Sequence, residues 1–154
     1  MKVRTLGAFV FAVLFAAVAH ADNFVATSDS AAPFSSYNTY AWTAGTTSPD
    51  PLTERRIHAA VEAQFSGKVI RLAAPDETPD IYVATHVLTR EQKDFDIKTY
   101  QPGTLVIDVY DAKTKKMVWR GVVTGTGSDK PSKNADKIEK ALTDLFRRYP
   151  SSLN

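Results

Sequence analysis

Two charged residues interrupt otherwise apolar runs: Asp108 in Leu105-Val106-Ile107-Asp108-Val109-Tyr110, and Arg120 in Met117-Val118-Trp119-Arg120-Gly121-Val122-Val123. A carboxylate and a guanidinium on adjacent strand arms can pair across a sheet, or line a polar patch that holds a ligand. If Asp111 stands opposite Lys116 at the turn, Asp108 faces Trp119 and Arg120 faces Ile107; a one-residue bulge would bring the two charges together. The register is open at this level. His86 lies in a third alternating run and joins Asp108 and Arg120 as a polar candidate, with Trp119 beside them. Trp42, Trp119 and Tyr110 also offer a stacking surface for a sugar or peptide, although strand aromatics more often fill a core. The ligand-binding candidates are therefore His86, Asp108, Arg120 and Trp119.

Other constellations are poorer. Gly125-Thr126-Gly127 with Lys130 lies between a strand and a helix, where phosphate loops sit. It lacks the third glycine of the dinucleotide motif and the Gly-Lys-Ser/Thr of the mononucleotide motif, so it reads as a turn. His58 borders the apolar face of a helix, and nothing fixes its distance to His86. Glu91, Asp94 and Asp96 supply three carboxylates, too few for calcium, which takes six to eight oxygens. No residue is assigned a catalytic or metal-binding role, and no cofactor is expected.

The chain has 154 residues, 19 basic and 17 acidic side chains, and no cysteine. Lys2 and Arg4 precede an apolar run from Leu6 to Ala19, interrupted only by Gly7 and followed by His20-Ala21. A basic start, a short apolar middle and small residues at the end make a secretory leader, with cleavage expected after Ala21. The run is shorter than the roughly 20 residues that span a bilayer. Losing Lys2 and Arg4 leaves 17 basic and 17 acidic residues, and this neutral balance gives no support to a nucleic-acid partner. The charge is nevertheless split: residues 22 to 110 carry 7 basic and 12 acidic side chains, residues 111 to 154 carry 10 and 5. Such a split lets the two parts of one domain attract each other, or presents a dipolar surface to a partner. Without cysteine, a disulfide scaffold, a thiolate metal site and a cysteine nucleophile are all excluded. Stability must come from a core, for which one domain over residues 22–154 is long enough.

The elements that must position these residues follow from periodicity and punctuation. Residues 22 to 36 form a polar lead-in with room for one short strand, and Tyr37 to Trp42 alternate as a half-buried strand. Asp50-Pro51 is a helix start, with Asp as cap and Pro at the first helical position. Ile57, Val61 and Phe65 then form an apolar face, and Gly67 is the expected left-handed terminator. Ile81 to Leu88 alternate as a strand, and 90 to 101 form either its extension or a long loop. Leu105 to Tyr110 and Met117 to Thr124 make an antiparallel hairpin. Ile138, Ala141, Leu142, Leu145, Phe146 and Tyr149 line a last helix that Pro150 ends. The expected order is strand, helix, strand, strand, strand, helix: an α+β domain with a mainly antiparallel sheet of about four or five strands and both helices on one face.

Tyr37-x-Thr39-Tyr40-Ala41-Trp42, Asp50-Pro51-Leu52, Gly103 to Asp108 and Val118-Trp119-Arg120-Gly121 together resemble a bacterial exported family, domain of unknown function 4136. The resemblance spans about Phe24 to Pro150, and Trp42 and Trp119-Arg120-Gly121 are its most specific part. It implies a cell-envelope protein and carries no activity with it. Many members look like lipoproteins, with a cysteine after the leader. This chain has Ala21-Asp22 there instead, so a free periplasmic or secreted protein without a lipid anchor is expected. The functional expectation is a non-enzymatic module that binds an envelope protein or polymer; the alternative is a small-ligand binder or hydrolase using the polar patch.

Overall fold

In the computed structural model residues 24–88, 103–125 and 131–150 are described. The elements run β1 (Phe24–Ser28), a short 3-10 turn (Phe34–Ser36), β2 (Thr39–Trp42), α1 (Pro51–Gly67), β3 (Arg71–Leu72), β4 (Ile81–Leu88), β5 (Thr104–Asp111), β6 (Met117–Val123) and α2 (Pro131–Phe146). They form one six-stranded sheet in the order β1-β6-β5-β4-β2-β3.

This corrects the expected mainly antiparallel sheet of four or five strands. The sheet is mixed: β2 runs parallel to both β4 and β3, whereas β4, β5, β6 and β1 pair antiparallel. Alternation of side chains tells which residues share a face but not the direction of the neighbouring strand. Here α1 carries the chain from one end of the sheet back to the other, so β4 enters beside β2 in the same direction. Two-residue β3 is too short to show any period.

Helix α1 starts as its residue types dictate. The Asp50 carboxylate accepts from the Leu52 and Thr53 amides, both at 3.1 Å, and Pro51 follows in the position that needs no amide. Its end departs from expectation. Gly67 stays helical, and the left-handed residue is Val69, with φ 61°. The Ile70 amide donates to Phe65 O at 3.0 Å and the Val69 amide to Ser66 O at 3.0 Å, the two bonds of a Schellman cap. That pattern turns Ile70 into the core, where it is buried alongside Phe65.

Alternate residues of the sheet (Ile81 and Val83, Leu105, Ile107 and Val109, then Trp119 and Val123) meet Ile57, Val61 and Phe65 of α1 and Ile138, Leu142, Leu145 and Phe146 of α2 in one core. Each large side chain buried there contributes roughly 1.5–3 kcal/mol before entropy is deducted. Tyr149 lies beyond the end of α2, in a turn closed by its amide on Phe146 O at 3.1 Å, yet it is buried among Phe65, Trp119 and Phe146. Gly121 makes room for this cluster: a Cβ there would stand 2.4 Å from Trp119 Cη2 and 2.6 Å from Leu145 Cδ2.

Candidate functional site

The other face of the sheet carries Tyr82, Ala84 and His86 from β4, Val106, Asp108 and Tyr110 from β5, and Arg120 and Val122 from β6. Its polar centre depends on one extra residue. The Asp111 amide donates to Lys116 O at 2.9 Å, and Tyr110 then pairs with Met117, but Val109 pairs with Trp119. Val118 is the bulged residue. Two consecutive side chains, Val118 and Trp119, thus point into the core, and Arg120 returns to the second face directly opposite Asp108. The bulged register is the one realised.

Asp108 is 1% exposed, and Arg120 grips it with both arms of its guanidinium: Nε to Oδ1 at 2.6 Å and Nη2 to Oδ2 at 2.6 Å. The Tyr110 hydroxyl donates to Oδ2 at 3.3 Å, and His86 Nε2 stands 3.5 Å from the same oxygen. The other imidazole nitrogen, Nδ1, lies 3.1 Å from Thr46 Oγ1. Thr46 reaches this position because the loop after β2 continues along β4: its amide donates to Thr85 O at 3.0 Å, and its carbonyl accepts from Val87 at 2.9 Å. Only glycine can pass at Gly45, where a Cβ would meet Thr85 O at 2.0 Å.

Burial pushes the Asp108 carboxyl up, but hydrogen bonds from Arg120 and His86 and the guanidinium charge outweigh it and hold Asp108 below the usual carboxylate range. Burial, then the Asp108 charge beside it, push the Tyr110 phenol up. The arrangement is an ion pair that stays charged, with a neutral phenol attached. Next to it the same face opens into a cleft of about 380 Å³ lined by Thr43, Ala44, Tyr82, Tyr110 and Lys115. Lys115 Nζ sits 4.8 Å above the Tyr82 ring.

Three of the four residues singled out from the sequence therefore meet: His86, Asp108 and Arg120. Trp119 does not join them. It lies on the helix side, 1% exposed, with ring centroids 5.3 Å from both Phe146 and Tyr149. His58 is also on the helix side, stacked on Trp42 at 4.0 Å and bound to Glu54 Oε1 at 3.1 Å, away from His86. Glu91, Asp94 and Asp96, the stretch 90 to 101, and Thr126 to Lys130 fall outside the described residues. Among the described residues no group of three His, Cys, Asp or Glu side chains could hold a metal, and no helix is long and apolar enough to cross a membrane. Thr46, Tyr82 and Lys115 were missed. The two-residue period already placed Tyr82 and Tyr110 with His86 and Asp108, but Thr46 and Lys115 arrive through loop geometry that has no period.

Two helices on one face of a six-stranded mixed sheet, with an ion pair centred on the other face, define a small α+β scaffold. The chain belongs to the family described as domain of unknown function DUF4136, whose model matches residues 25–151. It is similar to the crystal structure of a DUF4136 family protein from Bacteroides thetaiotaomicron, with 15% identity and a TM-score of 0.64 over 84% of this chain and 97% of that one. It also resembles a PDZ domain protein from Parabacteroides distasonis, with 12% identity and a TM-score of 0.62 over 86% of this chain and 36% of that longer one. At such identities the likeness concerns the fold alone. Among curated proteins none matches the chain significantly.

Proposed function

We propose that the protein is exported to the cell envelope, loses its leader after Ala21, and acts there as a non-enzymatic interaction module for an envelope protein or polymer. The second sheet face is its binding face. The observation that carries this reading is the state of Asp108. A buried carboxylate gripped at both oxygens and held below its ordinary range is a weak base and an unavailable acid at neutral pH, so it serves to position Arg120, Tyr110 and His86 rather than to move protons. The leader composition supports export. The test is mass spectrometry of the protein released gently from the periplasm of its host. A denatured mass starting at Asp22 and a native mass carrying a partner are expected; a full-length mass in the membrane fraction would overturn the export reading, and a bare chain that also captures nothing on cross-linking in cells would overturn the interaction reading.

One observation favours a hydrolase as the second reading. Thr46 Oγ1, the His86 ring and Asp108 stand in the order hydroxyl, imidazole, carboxylate. That order can activate a nucleophile. Arg120 competes for the same carboxylate, which weakens it as an orienting group for imidazole. Ester hydrolysis that disappears in Thr46→Val while the fold persists would establish this reading; activity equal in the variant and its parent would remove it.

A further inference from the structure

We propose that the cleft between Tyr82, Tyr110 and Lys115 binds an oxyanion, a carboxylate or phosphate group carried by the ligand. The inference rests on the second face being the binding face and names the chemistry it takes. Charge is the first argument. The lining residues Thr43, Ala44, Tyr82, Tyr110 and Lys115 include one full charge, the Lys115 ammonium, and no acid. The turn above adds Lys113 and Lys116. Its single acid, Asp111, is buried, and its carboxylate is occupied: Oδ1 accepts from the Lys113 amide at 2.9 Å and the Thr114 amide at 2.7 Å, and Oδ2 from the Tyr37 hydroxyl at 2.8 Å. Asp108, the nearest buried acid on this face, is neutralised by Arg120. Three lysines against the one Asp111 carboxylate leave the formal charge of the cleft and its turn positive.

The backbone is the second argument. Lys115 has φ 60°, the left-handed region where a Cβ crowds the neighbouring carbonyl and where glycine or asparagine is the strain-free choice. The turn closes with the Lys115 amide on Asp111 O at 2.9 Å, a contact that any residue makes, so the lysine side chain is not needed for the turn itself. What the side chain adds is an ammonium suspended over Tyr82 at the mouth of the cleft. A cation held on a ring face keeps free N–H donors, and a short swing brings them to an incoming oxyanion. Thr43 and Tyr82, which line the same space, carry hydroxyl groups that can donate in the same way. The volume, about 380 Å³, is near the lower end for small-ligand sites, which start at roughly 300 Å³. It suits one group or one monomer unit rather than a large ligand.

The experiment is calorimetric titration of the purified protein at low salt with two probes, benzoate and phenyl phosphate, repeated on Lys115→Met and Lys115→Gly, with thermal melts of all three proteins. The expected result is millimolar binding of one or both probes by the parent, weakened about tenfold or more in both variants, as loss of a charged hydrogen-bond donor predicts. Lys115→Gly should at the same time melt no lower than the parent, since its backbone strain is relieved. Weakening for both probes assigns a general oxyanion site, and weakening for one names the anion. Absence of binding to the parent, or binding equal in all three proteins, would overturn the proposal. If the probes fail while native mass spectrometry still finds a partner, the oxyanion inference falls and the interaction reading stands; if both fail, the second face is not a binding face.

Discussion

The two faces of β4 and β5 are made from alternate residues of the same strands, yet different forces hold them. On the helix side Ile81, Val83, Leu105, Ile107 and Val109 meet α1 and α2 in a continuous apolar core. On the other side Asp108, Arg120, His86, Tyr110 and Thr46 form a chain of hydrogen bonds around one ion pair, beside an open cleft. Apolar burial is non-directional and tolerates small shifts, whereas the polar centre depends on angles and on a single register. Tolerance therefore ends at the bulge: the helix side specifies that the chain folds, and Val118 specifies what the other side can hold.

The largest effect should come from the helix side. Ile138 of α2 is 3% exposed, and Ile138→Asp would bury a charge with no partner. A loss of about 4 kcal/mol or more is expected, a large part of the roughly 5–15 kcal/mol that holds a domain of this size together, with a melting point lowered accordingly. Circular dichroism of the variant checks this; a folded spectrum with an unchanged melting point would mean that α2 is not part of the core.

Next comes the polar centre. Arg120→Met leaves the buried Asp108 carboxylate with only the Tyr110 hydroxyl and the His86 ring, for which about 3 kcal/mol is expected, whereas Asp108→Asn removes the charged acceptor of a guanidinium that is one-third exposed and should lose only about 1–2 kcal/mol. The double variant should lose less than the sum, with a coupling of about 1–3 kcal/mol by urea unfolding. Additive losses would show that the pair contributes no mutual stabilisation, and the contrast between the faces would then rest on the cleft alone.

This contrast also explains what could be read from the residues in advance. The core was legible because burial is periodic: Ile57, Val61 and Phe65, then Ile138, Leu142, Leu145 and Phe146, repeat at helical spacing, and all seven are buried. His86, Asp108 and Arg120 were legible as polar interruptions of apolar strands. Their meeting was not, because it requires the one-residue bulge that no pattern encodes. Trp119 is a candidate as a stacking surface, and the pleat sends it instead to the face opposite Arg120, where it fills the core as strand aromatics more often do. The parallel pairing of β2 was hidden for a related reason, since strand direction depends on where α1 returns the chain.

Acid separates the two faces further. Asp108 titrates below its ordinary range in the fold, so its ion pair contributes fully above the unfolded carboxylate value of about 3.9, and the contribution is lost as pH falls through the lower folded value. The stability gap between the parent and Asp108→Asn should therefore be constant near neutrality and narrow below about pH 4. A helix-side variant such as Ile57→Val should keep the same offset at every pH, because no titrating group is removed. Urea melts from pH 7 to pH 2 test this, and a gap for Asp108→Asn that persists undiminished into acid would show that its ionisation does not stabilise the fold.

The smallest effect compares the two left-handed residues, one on each side of the molecule. Val69 and Lys115 have φ 61° and 60°, and both stand where glycine would be unstrained. Val69 is 72% exposed, so its side chain adds little burial, and the Schellman bonds that surround it are made by backbone alone. Relieving the left-handed strain is worth about 1–2 kcal/mol, and the added freedom of glycine in the unfolded chain takes back about 0.5–1 kcal/mol. Val69→Gly should therefore leave the protein as stable as the parent or stabilise it by up to about 1.5 kcal/mol, and leave oxyanion binding unchanged. Lys115→Gly should show the same tolerance in its melt but lose the ligand. If Val69→Gly instead lowers the melting temperature, the valine side chain is contributing contacts in the groove it shares with Tyr40, Glu62, Ile70 and Leu72, and its strain would then have a use of the kind argued for Lys115.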